Sequence, residues 1–172
     1  MISGRKVLLR AILESDLKSI QLIRSDLNLR NQVMMHPFPI TSLNDMNWME
    51  GVLNDSNRNS VYFGIEAVQE GDFKGIVSLT NMSLIHRRAD FGIYLGEKSR
   101  GMGVGSEATS LLLDYAKESL GLKKVELKVL SSNKTAIHVY KRLGFEETVV
   151  LKEHFYCEGQ FQDVIHMTKF FN

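Results

Sequence analysis

Hydrophobic and polar residues follow two different periods along the chain. Residues 6–12 form a short, mostly apolar run, and apolar residues at helical spacing then follow Asp16, which can cap a helix. A second helix is predicted to begin at Ser42. The segment between the two helices contains the only prolines, Pro37 and Pro39, and is predicted to be irregular. The amino-terminal part is therefore predicted to be a strand followed by two helices.

From residue 60 onward the apolar positions alternate with a period of two, which is typical of strands. The predicted strands cover residues 60–68, 73–82, 88–95, 124–130, 148–157 and 163–171. Two amphipathic helices, ending at Gly121 and Gly144, lie between the later strands. This order predicts one mixed α/β (α+β) domain over residues 1–172. Its central sheet should be mostly antiparallel, with about seven strands flanked by about four helices and a strand-helix-strand unit in the middle.

The composition is that of an ordinary globular protein. Of 172 residues, 44% are hydrophobic and 24% are charged, which is enough for one domain with a core. The net charge of +1 gives no general attraction to nucleic acid or to an anionic membrane. No apolar run approaches the roughly 20 residues that span a bilayer, and Cys157, the single cysteine, cannot form an internal disulfide. We expect a cytoplasmic protein without nucleic-acid or membrane partners.

A glycine-rich segment, SRGMGVGS at 99–106, joins a predicted strand to a predicted helix. The first amide groups of a helix have no partners within the helix, and the helix dipole places partial positive charge there. Glycines allow phosphate oxygens to approach the backbone, and Arg100 adds a full charge. The segment thus indicates a phosphate-bearing ligand. The alternative is a tight turn in which the glycines serve only the backbone conformation.

Two common phosphate loops do not fit this segment. No lysine follows the glycines, which excludes a Walker loop. The spacing after Gly101 or Gly103 does not complete a dinucleotide fingerprint either. What remains, Arg100-x-x-Gly103-x-Gly105, resembles the R/Q-x-x-G-x-G/A pattern of the GNAT superfamily of N-acetyltransferases. Downstream, NKTAIHVYKRLGF resembles the second signature of that family, with matches at Asn133, Ala136, Tyr140, Gly144 and Phe145.

This resemblance implies a single GNAT-type domain that uses acetyl-CoA as co-substrate and transfers the acetyl group directly to a primary amine. The residues implied to contact the cofactor are Ile93, Leu95, Arg100, Gly101, Met102, Gly103, Val104, Gly105, Ser106, Asn133, Ala136 and Tyr140. Tyr140 is implied to be the general acid that protonates the departing CoA sulfur, since an ordinary phenol roughly matches a thiol in pKa. The alternative for Tyr140 is a core tyrosine on an amphipathic helix.

The general base is less clearly indicated. Protein N-terminal acetyltransferases that resemble this chain carry an acidic residue on the strand before the second signature, where this chain has Lys128. The candidate base is therefore Glu153, with Glu66 and His154 as alternatives. Cys157 is expected to be an apolar filler rather than a nucleophile. No metal is predicted, because the histidines show no paired-ligand spacing.

The acceptor amine is predicted from segments rather than from a signature. ADFGIYLG and LKEHFYCEGQFQDVIHM resemble the acetyltransferase of the pseudaminic-acid pathway, which implies a UDP-linked amino sugar as the small-molecule substrate. Polyamines would need an anionic surface, and residues 1–60 carry six acidic against seven basic residues. The candidate acceptor contacts are Arg30, His36, Phe38, Trp48, Tyr62 and His154. Protein N-termini, polyamines and a non-catalytic acetyl-CoA-binding module remain alternatives, and a homodimer is left open.

Overall fold

The computed structural model describes residues 1–54 and 59–172. Within them, the strands are β1 (Ile2–Ser3), β2 (Val7–Arg10), β3 (Val61–Ala67), β4 (Phe73–Ser83), β5 (Arg88–Leu95), β6 (Lys124–Leu130), β7 (Glu146–Cys157) and β8 (Gln160–Phe170). The α-helices are α1 (Leu17–Ser25), α2 (Leu27–Gln32), α3 (Ser42–Leu53), α4 (Val104–Glu118) and α5 (Lys134–Arg142).

The described strands form a single mixed sheet in the order β1-β2-β3-β4-β5-β6-β8-β7. Every neighbouring pair is antiparallel except β5 and β6, which are parallel and joined by α4. The predicted α/β class, the mostly antiparallel sheet and the central strand-helix-strand unit are confirmed. The sheet has one strand more than expected because the two-residue β1 is too short to show a period.

One predicted helix is divided in two at Asp26. This residue has an extended backbone (φ −68°, ψ 106°), and its carboxylate accepts hydrogen bonds from the backbone N–H groups of Asn28 and Leu29. It therefore caps a new helix, α2. Two predicted helix caps also differ. Asp16 makes no side-chain bond to the amides of α1; its carboxylate accepts the N–H of Leu13 and pairs with Arg10. Helix α3 begins at Ser42 as predicted, but its side-chain cap is Thr41.

Helices cover both faces of the sheet. On one face, α4 and α5 pack on the main core, which includes Val77, Leu112 and Ile137. On the other face, α1 and α3 pack on a smaller cluster that includes Ile20 and Ile76. Because consecutive residues of a strand point to opposite faces, Ile76 and Val77 separate the two clusters.

The pairing between β5 and β6 ends well before either strand does. Arg88–Asp90 pair with Lys124–Glu126, whereas the strands continue to Leu95 and Leu130. Beyond Asp90, β5 pairs only with β4, and beyond Glu126, β6 pairs only with β8. This leaves an unpaired gap in the middle of the sheet, between the two strands that flank α4. We refer to this gap as the central cleft.

Candidate functional site

The glycine segment begins α4 without a side-chain cap. Gly103 is the N-cap residue and has a left-handed backbone (φ +82°), which favours glycine. Gly101 is also left-handed (φ +76°), and a Cβ built there would meet no atom within 4 Å. The first-turn N–H groups of α4 are therefore available to an anionic ligand. This geometry fits the phosphates of acetyl-CoA.

Gly105 allows close packing of α4 on β5. A Cβ at this position would lie 2.9 Å from Leu95 Cδ1 and 3.7 Å from Ile93 Cδ1. The missing side chain lets the first turn of α4 lie directly on β5, at the part of β5 that borders the central cleft. The structure thus brings Ile93 and Leu95 next to the glycine segment. The predicted contact of Gly105 with the cofactor stays a prediction.

Arg100 is engaged by residues outside the glycine segment. Its guanidinium donates to the Leu95 carbonyl oxygen, at 3.2 Å from Nε and 3.1 Å from Nη2, and Nη2 lies 2.8 Å from Asp26 Oδ2. The hydrogen bond from Arg100 holds the pKa of Asp26 below its ordinary value. Arg100 thus links β5 to the residue that caps α2. Its predicted contribution of charge to the phosphates stays a prediction.

A cation that the sequence analysis missed lies at the same loop. Lys6 Nζ donates to the Met102 carbonyl oxygen at 3.0 Å. No signature includes Lys6, and its distance along the chain from the glycines gives no local signal. Only the sheet, which brings β2 next to α4, places Lys6 at this loop.

Tyr140 lies in an aromatic cluster on the α5 side of the sheet. Its ring centroid is 5.9 Å from that of Phe91 on β5 and 5.8 Å from that of Phe145. Burial raises the pKa of Tyr140 to about 12. The phenol therefore keeps its proton throughout the neutral range and can donate a hydrogen bond. It is a weaker acid than the sequence-based comparison with a thiol assumed.

The start of α5 agrees with the second signature. Asn133 Oδ1 accepts the N–H of Ala136 at 3.1 Å, which makes Asn133 the side-chain cap of the helix. Its implied contact with the cofactor stays a prediction, as does the contact at Ala136.

Two candidate acceptor residues come together on the opposite face of the sheet. Trp48 on α3 and Tyr62 on β3 make an edge-to-face contact with centroids 5.6 Å apart. Both line a shallow pocket of about 240 Å³, together with Gly51 and Val52. The Arg24 guanidinium lies 4.7 Å from the centre of the Trp48 ring. Trp48 and Tyr62 thus stand at a surface, although much of each ring is used in packing.

Arg30 is not exposed to an acceptor. The side chain is buried, and its Nη2 donates to the carbonyl oxygens of His36 and Phe38. A guanidinium held in this way supports the loop 33–41, so its predicted contact with the acceptor is corrected. His36 and Phe38 themselves lie on that loop with their rings 5.9 Å apart, and Phe38 is 72% exposed.

The candidate bases do not meet at the central cleft. Glu153 and His154 are exposed on β7, and β6 and β8 lie between β7 and β5. Glu66 is engaged by Arg10, which also holds Asp16. The structure therefore brings neither Glu153 nor its alternatives together with Tyr140, and we assign no base among them.

Glu126 is an acidic residue on the strand before the second signature that the sequence analysis did not consider. It lies two residues before Lys128 and is the last β6 residue paired with β5. Burial alone would raise its pKa, but the hydrogen bonds from Lys124 and Arg88 and the charge of Lys124 outweigh burial and lower it. A carboxylate with a lowered pKa is a weak base.

Two features are absent from residues 1–54 and 59–172. In this part of the chain, no three side chains of His, Cys, Asp or Glu cluster as a metal site would require. No helix among these residues is both long and apolar enough to cross a bilayer.

Comparisons with known proteins agree on one family. The family model described as an acetyltransferase (GNAT) domain matches residues 6–146. The spermidine N(1)-acetyltransferase of Escherichia coli (strain K12) is 29% identical over 171 residues, covering 99% of this chain and 89% of that protein. An N-alpha-acetyltransferase of Sulfurisphaera tokodaii is 38% identical over only 64 residues, 37% of this chain and 38% of that protein.

The solved structures give the same result at the level of the fold. The spermidine N-acetyltransferase of Vibrio cholerae, crystallised in complex with CoA and spermine, superposes with a TM-score of 0.89 at 28% identity. The match covers 96% of this chain and 95% of that one, so it includes both faces of the sheet and the β7–β8 hairpin.

Proposed function

The chain belongs to the GNAT acetyltransferase family and is an acetyl-CoA-dependent N-acetyltransferase; we propose that its acceptor is a primary amine of a polyamine of the spermidine class. The observation that carries this proposal is the full-length similarity to spermidine acetyltransferases, which extends over the acceptor-side elements as well as the two signatures. The similarity to an N-alpha-acetyltransferase covers about a third of the chain. The amino-sugar acceptor inferred from two segments has no such support.

The count of acidic and basic residues in 1–60 is a poor guide to the acceptor. Of the acidic residues in 1–60, Asp55 lies outside the described residues. Asp16, Asp26 and Asp45 are each paired with an arginine in the fold. Because three of the six acidic residues are paired with arginines in the fold, the charge balance of this segment says little about the surface that an amine would meet. A polyamine is therefore compatible with this composition.

The two substrates are proposed to approach from opposite faces of the sheet. The glycine segment and Tyr140 belong to the α4–α5 face, whereas Trp48 and Tyr62 pack with the α1–α3 face. The central cleft is the place where an amine on one face could reach the thioester on the other. The acceptor region would then be bounded by α2 and by the tip of the β7–β8 hairpin, which are joined by a hydrogen bond from Asn31 Nδ2 to Glu158 Oε1 at 3.1 Å.

The proposed reaction is a direct transfer. A neutral amine attacks the thioester carbonyl carbon and forms the C–N bond, and the C–S bond breaks. The nitrogen gives up one proton to leave a neutral amide, and the CoA sulfur takes one up. Free backbone N–H groups of β5 beside the cleft would stabilise the oxyanion that develops on the carbonyl. Tyr140 would donate a hydrogen bond to the departing sulfur, and its raised pKa keeps it protonated for this purpose.

An acceptor panel tests the proposal. Release of CoA is measured with spermidine, spermine, a UDP-linked 4-amino sugar and a short peptide, at equal acetyl-CoA. We expect the highest kcat/KM with spermidine or spermine and no inhibition by millimolar UDP. A higher kcat/KM for the amino sugar, together with UDP inhibition, would restore the amino-sugar acceptor. Acetyl-CoA binding without turnover of any amine would favour a non-catalytic binding module.

A further inference from the structure

The turn at residues 4–6 is fastened to the first turn of α4. Glu107 Oε1 accepts the backbone N–H groups of both Arg5 and Lys6, the second at 3.0 Å. The Gly4 N–H closes the turn by donating to the Val7 carbonyl oxygen at 2.8 Å. These bonds hold the turn beside the glycine segment, although the two are distant in the sequence.

Gly4 is required for this close approach. A Cβ at Gly4 would overlap with Glu107 Oε1 and would lie 2.8 Å from the Val7 carbonyl oxygen. Such distances are far inside van der Waals contact, so any larger residue would push the turn and Glu107 apart. The contact between the turn and α4 therefore depends on a specific residue at each end.

The Lys6 side chain extends from this turn to the glycine segment. Its Nζ bonds to the Met102 carbonyl oxygen and lies 3.3 Å from the position that a Gly103 Cβ would take. An ammonium group has three N–H donors, and the side chain is exposed, so donors remain for a ligand. The uncapped N–H groups of α4 lie at the same loop.

We propose that the Lys6 ammonium contacts the pyrophosphate of acetyl-CoA, and that Gly4 and Glu107 position it there. Lysine binds phosphate as a compact charge, and Lys6 provides a cation at this loop, whereas Arg100 is engaged with Asp26. The inference rests on the acetyl-CoA-dependent function above. It assigns part of cofactor binding to a residue outside both family signatures.

Calorimetric titration with CoA and with 3′-dephospho-CoA tests the contact in the full chain. Lys6→Gln removes the charge and keeps a polar side chain, and we expect a roughly five- to tenfold higher Kd for both ligands. Lys6→Arg should recover most of the affinity. Lys117→Gln, at the opposite end of α4, is the matched control and should leave Kd unchanged. An effect seen with CoA alone would overturn the pyrophosphate contact in favour of the 3′-phosphate.

Gly4→Ala tests the positioning with Lys6 intact. The added methyl group should displace the turn and raise the Kd for CoA by a smaller factor, roughly threefold. A Kd for Lys6→Gln within twofold of the wild type, with an unchanged melting temperature, would overturn the inference and leave the acetyltransferase function standing. Failure of the wild-type protein to bind CoA would instead count against the proposed function.

Discussion

The signature residues of the cofactor half, residues 88–145, and the candidate acceptor residues are placed by different kinds of contact. Each signature lies at the start of its own helix: Gly103 begins α4 and Asn133 caps α5. In the acceptor half, residues 17–54 with the β7–β8 hairpin, candidate residues are placed by contacts between separate elements. Asn31 bonds to Glu158, and Arg24 lies over Trp48.

This difference explains why one half carries signatures and the other does not. A local contact needs particular residues at a fixed spacing, so it leaves a readable pattern. A contact between distant segments needs only complementary side chains, which many residue pairs can supply. The reaction can thus be recognised from short motifs, whereas the acceptor depends on a surface assembled from separate parts of the chain. Substitutions in the cofactor half should therefore change turnover or CoA affinity, whereas substitutions in the acceptor half should change acceptor KM.

The largest effect is expected at Tyr140. Tyr140→Phe keeps the ring contacts with Phe91 and Phe145 and removes only the hydroxyl, so folding and CoA affinity should be retained. Turnover should fall by about 10²–10⁴-fold if the hydroxyl protonates or hydrogen-bonds the leaving sulfur. Steady-state kinetics with a CoA-release readout measures this. A fall below about threefold would make Tyr140 a packing residue only.

The raised pKa of Tyr140 gives a separate test that needs no substrate. An ordinary tyrosine is half ionised near pH 10, whereas Tyr140 should ionise only near pH 12. Subtracting the ultraviolet titration curve of Tyr140→Phe from that of the wild type should leave the signal of one tyrosinate. That tyrosinate should form near pH 12 rather than near pH 10. Ionisation of this residue near pH 10 would mean that burial does not raise its pKa and that the phenol is a stronger acid than proposed.

The next effect is expected at Gly105. Gly105→Val would drive side-chain atoms into Leu95 and displace α4 from β5, so the loop amides would lose their alignment. We expect CoA affinity to fall by at least about tenfold and the melting temperature to fall as well. The matched control is Gly71→Val in the β3–β4 turn, where a Cβ meets nothing within 4 Å. That variant should lose some stability, because Gly71 has a positive φ, but no CoA affinity.

Much of the fold could be predicted because its periods are regular. The strands over 88–95 and 124–130 are found at the predicted bounds. The break at Asp26 was missed because the apolar spacing continues through it, and the cap becomes visible only in its bonds to Asn28 and Leu29. Hydrophobic period alone cannot distinguish one long helix from two short ones in line.

The candidate site, like the fold, could be predicted only in part. The motif residues of the loop and of α5 both lie beside β5, near Ile93 and Phe91 respectively. Arg30 was misjudged because an arginine in an open segment looks free in the sequence, and Arg100, next to a motif, looks equally free. In the fold, each guanidinium is engaged by carbonyl oxygens, and Arg100 also by Asp26.

A moderate effect on the acceptor side is expected at Arg30. Arg30→Gln and Arg30→Lys both lose the pair of bonds that holds loop 33–41, at a cost of roughly 2 kcal/mol in the free energy of unfolding. For a chain of this size that lowers the melting temperature by about 4–8 °C. Acceptor KM should rise several-fold while the Kd for CoA stays unchanged. Recovery of both stability and KM in Arg30→Lys would show that charge, as in an anion anchor, matters more than loop support.

The smallest effect is expected at Cys157. This residue tests whether the acetyl group passes through a covalent intermediate on the protein. Cys157 is buried at the end of β7, where its sulfur accepts a hydrogen bond from Gln162 Nε2 at 3.1 Å. β6 and β8 separate this strand from β5, so the thiol is poorly placed to take an acetyl group at the central cleft. Cys157→Ala should therefore keep turnover within about twofold and cost about 1 kcal/mol of stability from lost packing. Detection of an acetylated Cys157 by mass spectrometry in a single turnover, together with loss of activity in the variant, would contradict direct transfer and require a covalent intermediate on the acceptor side.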